Sequence, residues 1–312
     1  AMETRVPEYL NSYKATTFDN TELGCAKTAC NPQIDPTTSP NTQASRYMPL
    51  NPHLRSEAKS MVEKMIKLGV LIETNKPANS TIFIVQKQNG KWRLICDLRK
   101  YNSRIINYVV HLPSPYELIN KISSFELFSY FDYPDAFFQI PLSAESQKLA
   151  PIVASVAGCS KNVQYVKMPQ GLAVATAWFC DTMIETYRPI EEYVANYLDD
   201  SVVGSRNDEN EHFSRIVRFI DITEKAGLRL KLEKCVLFAT NITFLNYTIA
   251  HGKWSLSEAQ KATINTLNAK NLTKEKRESL AAFLQHFNRF TTGISHAARK
   301  IRDLSMSEDE VS

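Results

Sequence analysis

The sequence contains no apolar run that approaches the roughly 18 residues needed to span a bilayer. Its N-terminus also lacks the basic, then apolar, then small-residue order of a secretion signal. Hydrophobic residues make up 43% of the chain and charged residues 22%, which is close to the average for soluble proteins. We therefore expect an intracellular setting and no membrane partner.

Cysteine is sparse and shows no pairing pattern. The six cysteines are spread through 312 residues without paired spacings, and most lie among apolar residues. Free cysteine commonly behaves as a small buried apolar group, so we predict that all six are reduced. Cys25 and Cys30 have no second Cys/His pair nearby that would complete a tetrahedral zinc site.

The motifs of several enzyme classes are absent as well. The sequence has no Walker loop, no G-x-S-x-G elbow and no H-E-x-x-H helix, so kinase, esterase and zincin functions have no support. A calcium-binding loop starting at Asp199 also fails. Val203 stands where an oxygen ligand is needed, and Asn210 stands where a bidentate Glu is needed.

The patterns that are present predict a mixed chain of helices and strands in two or three subdomains. Residues 1–49 are rich in Thr, Asn, Pro and Ser, which predicts either an extended arm or a partly disordered lead. Asn51-Pro52 predicts a helix start, and Asn89-Gly90 predicts a hairpin turn. The predicted elements are a helix at 51–69, strands at 81–85 and 92–96, a short helix after the Pro-punctuated stretch 111–115, a strand at 127–131, a helix at 170–187, a hairpin at 193–204, a helix at 213–227, strands at 228–232 and 243–250, and helices after a capping box at Ser257 and Gln260.

The net charge of +4 is a weak sign of a polyanionic partner, but its distribution is more informative. Between residues 251 and 302 there are ten Lys and Arg residues against three Glu residues. This basic segment fits a surface that contacts nucleic acid. A solvated helical face is the alternative explanation.

Three acidic residues lie where they could share one site. Asp132 ends an apolar strand, and the pair Asp199-Asp200 stands at the bend of a predicted hairpin. If these segments belong to one sheet, the carboxylates repel one another unless cations lie between them. Two Mg²⁺ ions, with Mn²⁺ as a substitute, suit such oxygen ligands. The alternative is an ordinary β-turn, in which Asp is common.

Five segments of the chain together resemble a known family, the polymerase domain of retroviral and long-terminal-repeat retrotransposon reverse transcriptases. The gammaretroviral and related endogenous elements are the most similar, and the resemblance runs from about residue 46 to about residue 304. A lone YxDD is a weak signal, whereas the ordered set is specific. The segments are KWRLICDLRKYN at 91–102, FDYPDAFFQIPL at 131–142, MPQG at 168–171, YLDD at 197–200 and FLNY at 244–247.

The resemblance implies an α+β right-hand polymerase fold, in which an antiparallel palm sheet is backed by helices. Because the sequence stops after the implied thumb, we expect no ribonuclease H domain within it, and we expect the chain to be a piece of a longer polyprotein. The implied division is an N-terminal extension at 1–49, fingers at 50–106 and 143–167, palm at 107–142 and 168–250, and a thumb with an acidic tail at 251–312.

The resemblance also assigns the acidic residues. Asp132 and Asp199 would each bind both metal ions, and Asp200 would complete the catalytic triad. The backbone carbonyl of Tyr133 would assist as a further metal ligand.

A pocket for the incoming deoxynucleotide is implied beside these acids. Lys87 and Arg93 would close over the triphosphate and neutralise its charge. Asp135 and Ala136 would offer backbone amides to the phosphates, and Gln170 would contact the sugar and help to position the template.

Phe137 matches the position of the sugar gate in this family. An aromatic ring under the sugar leaves no room for a 2′-hydroxyl, so we predict a preference for deoxynucleotides. The same ring argues against an RNA polymerase.

Further residues are implied to contact template and primer. Asp97 and Arg99 match template-side positions, while Tyr197 and Leu198 precede the acidic pair. Leu198 stands where Val, Met or Ile is common, and a Gly is usual at Asn246. The implied primer-gripping hairpin consists of Phe244, Leu245, Asn246 and Tyr247.

Taken together, the resemblance implies an RNA-directed DNA polymerase that extends a primer with dNTPs on an RNA or DNA template. We expect a monomer that works in the cytoplasm or within a virus-like particle. The alternative from another class is a non-catalytic nucleic-acid-binding or assembly subunit that retains the same fold.

Overall fold

The computed structural model describes residues 23–38, 51–86, 90, 92–106 and 113–266, with only the backbone of 263–266. The chain divides between Ser255 and Leu256 into two compact units. All six cysteines are free. Within the described ranges, no helix is both long enough and apolar enough to cross a membrane.

Seven α-helices and twelve strands are described, together with three short 3-10 helices, and the last α-helix belongs to the second unit. In chain order they are α1 (Pro52–Lys67), β1 (Leu71–Thr74), β2 (Ser80–Gln86), β3 (Trp92–Asp97), α2 (Arg99–Asn102), α3 (Pro115–Ser123), β4 (Leu127–Asp132), α4 (Ala144–Leu149), β5 (Val153–Val156), β6 (Asn162–Tyr165), α5 (Ala175–Tyr187), β7 (Val194–Tyr197), β8 (Asp200–Ser205), α6 (Glu209–Lys225), β9 (Val236–Ala239), β10 (Asn241–Phe244), β11 (Tyr247–Ala250), β12 (Lys253–Leu256) and α7 (Glu258–Thr266).

A five-stranded sheet in the order β1-β6-β5-β2-β3, named here the fingers sheet, follows helix α1. The predicted cap of α1 is confirmed, because the Asn51 side chain accepts a hydrogen bond from the His53 amide at 3.0 Å. The predicted pairing of β2 with β3 is also confirmed, and it places Phe83 opposite Ile95. Strand β5 runs parallel to β2, so this sheet is mixed.

A four-stranded antiparallel sheet in the order β7-β8-β4-β9, named here the palm sheet, carries the segments with the predicted acids. Helices α5 and α6 cover one face of it. Phe131 stacks on Phe219 at 4.5 Å between ring centroids, and Tyr187 stacks on the same ring at 4.7 Å. Because side chains alternate along a strand, Asp132 projects from the opposite face. An antiparallel sheet backed by helices confirms the predicted fold class.

Three predicted elements need correction. The predicted helix at 170–187 begins only at Ala175, because a turn with Gly171 at φ 90° precedes it. The predicted single strand at 243–250 is two strands, β10 and β11, joined by a turn. The predicted strand at 228–232 is not a strand. Its backbone is used by tertiary contacts instead, such as the hydrogen bond from Lys231 N to Asp132 O at 3.1 Å.

The described part of the N-terminal arm, residues 23–38, is extended and lies against the palm. Its hydrogen bonds join Cys25 N to Gly227 O at 2.7 Å and Ala26 N to Gln139 O at 2.7 Å. The backbone of Cys30 forms an isolated parallel β-bridge with that of Leu142. The arm thus contributes backbone contacts to elements that lie far away in the sequence.

The described part of the second unit is helix α7. Its predicted cap is confirmed in one half, since Ser257 Oγ accepts a hydrogen bond from Gln260 N at 3.3 Å. The further helices predicted beyond it and most of the basic segment lie outside the described residues.

Candidate active site

The acidic pair sits at a tight hairpin turn. Strands β7 and β8 pair through Tyr197 and Asp200, which leaves only Leu198 and Asp199 in the loop. Leu198 has a φ of 52°, a left-handed value that a branched apolar residue seldom adopts. Strained residues of this kind concentrate at functional sites. The strain turns Asp199 outward, where it is exposed.

The palm sheet places two of the acids directly opposite one another. Asp132 on β4 is the cross-strand partner of Asp200 on β8. Side chains at such positions have Cβ atoms about 5 Å apart, and like charges there are destabilising. Each carboxylate has its own partner. Lys234 Nζ lies 3.1 Å from Asp132 Oδ2, and the Tyr130 hydroxyl donates a hydrogen bond to Asp200 Oδ1.

The surroundings of Asp200 act on its ionisation. Burial is the first cause that raises the pKa of Asp200, and the charges of Asp199 and Asp132 raise it further, while the Tyr130 hydrogen bond opposes them. Burial and the Asp200 carboxylate in turn raise the pKa of Tyr130. Tyr130 therefore stays protonated and acts as a donor to Asp200.

The three carboxylates lie at one end of the palm sheet but are not gathered around one point. Across the described part of the chain, no three His, Cys, Asp or Glu side chains are grouped so as to hold one metal ion. Asp132 and Asp199 line a common pocket, whereas the hydrogen bond to Tyr130 engages Asp200.

The shared pocket has a volume of about 220 Å³ and contains most of the residues predicted for the nucleotide. Asp135 turns the chain there with a left-handed φ of 47°. The ring of Phe137, the predicted sugar gate, packs against the ring of Phe179 with 5.5 Å between the centroids. This contact limits the movement of the Phe137 ring. The lining residues are Asp132, Tyr133, Pro134, Asp135, Ala136, Phe137, Phe138, Gln170, Asp199 and Lys234.

The fingers sheet reaches this pocket through Arg93. The Arg93 guanidinium donates a hydrogen bond to Gln170 Oε1, and Gln170 lines the pocket. Asn102 holds the same loop, because its side chain donates to Gly171 O and accepts from Ala173 N, both at 2.9 Å. The structure thus brings Arg93 and Gln170 together. Lys87, the other predicted phosphate contact, lies outside the described residues.

The predicted template residues bind one another. Arg99 donates to both carboxylate oxygens of Asp97, at 2.9 and 2.7 Å. The hydrogen bond from Arg99 is the first cause that lowers the pKa of Asp97. The Arg99 side chain is 89% exposed, so it can meet a phosphate group without unfolding anything around it.

The segment predicted to grip the primer forms a hairpin. Its strand residues Phe244 and Tyr247 are buried in the small sheet of β10, β11 and β12, whereas the turn between them is accessible to solvent. Leu245 and Asn246 lie between them with φ of 51° and 68°, as a two-residue turn of mirror-image type requires. Asn tolerates this region well, so Asn246 replaces the usual Gly at little cost.

Three residues of the site were not predicted from the sequence. Tyr130 could have been found, because it stands two positions before Asp132 and therefore on the same face of β4. Lys234 and Asn102 carry no local signal, since their contacts with Asp132 and with Gly171 span 102 and 69 residues.

A palm sheet with opposed carboxylates beside a pocket, and Arg93 of the fingers sheet bonded to Gln170 at that pocket, is the arrangement that a right-hand polymerase fold predicts. The family model described as reverse transcriptase (RNA-dependent DNA polymerase) matches residues 85–249, which include the pocket. The chain belongs to the reverse transcriptase family.

Relatives and solved structures agree with this assignment. The chain is 24% identical over 283 residues to the Gag-Pol polyprotein of Gibbon ape leukemia virus, covering 88% of this chain and 17% of that protein. It is 26% identical over 254 residues to the enzymatic polyprotein of Cauliflower mosaic virus (strain CM-1841), covering 80% and 36%. The chain therefore spans well under half of these relatives.

The solved structures that match are foamy viral protease-reverse transcriptases. One is in complex with an RNA/DNA hybrid and has a TM-score of 0.80 at 20% identity, covering 98% of this chain and 40% of that one. Another is in complex with double-stranded DNA and has a TM-score of 0.82 at 20% identity, covering 97% and 52%. These matches establish the shared fold.

Proposed function

We propose that the chain is an RNA-directed DNA polymerase that extends a primer with deoxynucleotides on an RNA or DNA template. The observation that carries this proposal is the pocket shared by Asp132, Asp199, Phe137 and Gln170, with Asp200 directly opposite Asp132. Membership of the reverse transcriptase family supports it. The nucleic acids in the related foamy viral structures support the choice of substrate.

Two Mg²⁺ ions, or Mn²⁺ in their place, fit the oxygen donors of this pocket. We assign the carboxylates of Asp132 and Asp199 and the backbone carbonyl of Tyr133 as ligands, with Asp200 completing the set. The ammonium of Lys234, 3.1 Å from Asp132, is already a cation at the same carboxylate. Bound there, the metal ions would lower the pKa of the primer 3′-hydroxyl and neutralise phosphate charge.

In the proposed reaction the primer 3′-oxygen forms a bond to the α-phosphorus of the dNTP and its proton passes to water. The bond from that phosphorus to the bridging oxygen breaks, and pyrophosphate leaves. Arg93 and Lys87 neutralise the charge on the leaving phosphates, which is the main help that side chains give to phosphoryl transfer. Gln170, bonded to Arg93, orients the sugar, and Phe137 excludes a 2′-hydroxyl.

The nucleic-acid contacts belong to the same proposal. We assign the template strand to Asp97 and Arg99, and the primer terminus to the exposed turn at Leu245 and Asn246. Contacts of this kind go mainly to phosphates, so binding should be sequence-independent and should weaken with salt. We expect a monomer that works in the cytoplasm or within a virus-like particle, as the viral relatives suggest.

Primer extension on RNA and DNA templates with Mg²⁺ tests the function. The parent should extend both, and Asp199→Asn should lose about 100-fold or more in rate, the scale expected when one group that stabilises reacting charge is removed. Asp221→Asn, on helix α6 behind the sheet, is the matched control and should keep the parent rate. Nucleic-acid binding by the parent without any extension would contradict the proposal and favour a non-catalytic subunit.

A further inference from the structure

A row of hydrogen-bonded side chains, named here the tyrosine relay, runs through the core behind the palm sheet. It begins on helix α6, passes through helix α5, the residue that follows strand β4, and strand β8, and ends on strand β7. The successive contacts are Thr223 Oγ1 to the Tyr187 hydroxyl at 2.6 Å, Tyr187 to the Tyr133 hydroxyl at 2.6 Å, Tyr133 to Ser201 Oγ at 3.1 Å, and Ser201 Oγ to Asn196 Oδ1 at 2.6 Å.

The hydroxyls of the relay depend on one another. Tyr133, Tyr187, Ser201 and Thr223 are each no more than 2% exposed. A buried hydroxyl that loses its partner bears an uncompensated desolvation cost, so each member resists displacement of the next. The relay therefore fixes the relative positions of the elements that it joins.

The relay ends on a carbonyl oxygen at each side. Thr223 Oγ1 donates to Phe219 O at 2.8 Å, and Ser201 Oγ donates to Asn196 Oδ1 at 2.6 Å. Successive hydrogen bonds in such a row strengthen one another.

Two members of the relay are chain neighbours of two carboxylates. Tyr133 follows Asp132, and Ser201 follows Asp200. Asp132 and Asp200 face each other across the strand pair, so the contact from Tyr133 to Ser201 closes the same pair from its other face. A shift in this contact moves both carboxylates together with their backbone.

We propose that Tyr133 and Ser201 are positioning residues that fix the spacing between Asp132 and the Asp199-Asp200 hairpin before substrate binds. This role rests on the proposed function, because the spacing matters only if the carboxylates act together on one substrate. A misplacement of about 1 Å costs on the order of 100-fold in rate. Loosening one hydroxyl contact should cost less, about 10-fold, because the strand pairing persists.

The test compares Tyr133→Phe and Ser201→Ala with Tyr187→Phe. The last variant deletes a hydroxyl of the same relay from a helix that carries none of the three carboxylates. Three measurements are made. Mn²⁺ affinity is taken from the loss of the free-ion EPR signal, without any turnover. Primer extension gives kcat and KM for dNTP, and thermal melting in EDTA gives Tm. Two test variants are used so that the poor folding of either one leaves the other to decide.

For Tyr133→Phe and Ser201→Ala we expect Mn²⁺ affinity and kcat to fall by about 10-fold while KM for dNTP changes little, because positioning acts on the reacting atoms. For Tyr187→Phe we expect a similar fall in Tm but Mn²⁺ affinity and kcat within about 2-fold of the parent, because this variant keeps the contact from Tyr133 to Ser201 that joins the two carboxylate strands. Equal behaviour of all three variants in Mn²⁺ affinity would overturn the proposal. A parent that binds Mn²⁺ but extends no primer would instead contradict the proposed function, and the Mn²⁺ comparison would still test the relay.

Discussion

Replacing Asp200 by Asn is expected to stabilise the protein in the absence of divalent cations, although it removes a carboxylate from the candidate active site. Asp200 lies opposite Asp132 in the palm sheet. Among the contacts of the described residues, its carboxylate is bonded to the neutral Tyr130 hydroxyl and to no cation. Burial first, and then the charges of Asp199 and Asp132, raise its pKa above the ordinary 3.8. A carboxyl whose pKa is raised by folding is ionised at neutral pH only at a cost to stability.

The size of that cost follows from the sheet geometry. Two unit charges about 5 Å apart, the spacing of directly opposite side chains, repel by about 3 kcal/mol at an effective dielectric constant near 20. Lys234, with a side chain 56% exposed, offsets part of the charge on Asp132. The Asn oxygen still accepts from Tyr130, but the bond weakens by about 1 kcal/mol because its acceptor is no longer charged. The net gain is about 1 kcal/mol, or about 3 °C in Tm.

Thermal melting at neutral pH in EDTA measures this gain. Asp221→Asn, which removes a carboxylate on α6, is the control and should shift the free energy of unfolding by less than about 0.5 kcal/mol. Added Mg²⁺ should reduce the difference in Tm between Asp200→Asn and the parent, because a cation that binds the native parent stabilises it by mass action. An Asp200→Asn protein that melts at or below the parent Tm in EDTA would refute the electrostatic argument.

Two further predictions concern the sugar gate and the response to acid. Phe137→Val should improve ribonucleotide incorporation relative to deoxynucleotides by about 10- to 100-fold, the range that pocket sterics can supply; single-nucleotide kinetics measure it, and an unchanged ratio would remove Phe137 from that role. Burial, followed by the charge of Arg215, lowers the pKa of His212 from 6.5 to about 4. Below pH 6.5 the His212 imidazole takes up a proton in the unfolded chain, whereas in the folded chain it stays neutral down to about pH 4. The free energy of unfolding should therefore fall by roughly 3 kcal/mol as the pH drops to about 4. His212→Gln should flatten this dependence, and parallel melting curves of variant and parent against pH would contradict it.

The sequence predicted those parts of the site whose geometry is local. Asp132 could be placed at the end of a strand and Asp199 at a hairpin bend because alternation and turn chemistry are properties of short segments. The register that sets Asp132 opposite Asp200 is not such a property. It depends on which strands pair, and only the resemblance to a polymerase family pointed to it.

The misassigned strand at 228–232 has a specific cause. Its alternation of apolar and basic residues has the period of a strand, but the backbone is used elsewhere. Leu228 N bonds to Thr223 O at 3.1 Å, and Arg229 N bonds to the Gln139 side chain at 2.7 Å. Period alone cannot separate a strand from an extended segment that is held by tertiary contacts. Lys234 follows this segment, and its contact with Asp132 spans 102 residues, so no local pattern indicates it.

The N-terminal arm has a practical consequence for anyone who shortens this protein. The arm covers Gln139, because Ala26 N donates a hydrogen bond to Gln139 O. Gln139 is fully buried, and its side-chain amide donates to Pro134 O at 2.8 Å and to Arg229 O at 3.1 Å. Gly227 lies so close to Cys25 O that a side chain there would collide with the arm. An expression clone trimmed to the 85–249 span of the family match, or even to begin at residue 50, would strip this cover and expose Gln139 and Gly227 to solvent. Residues 23–38 therefore belong in any minimal version of this folded unit.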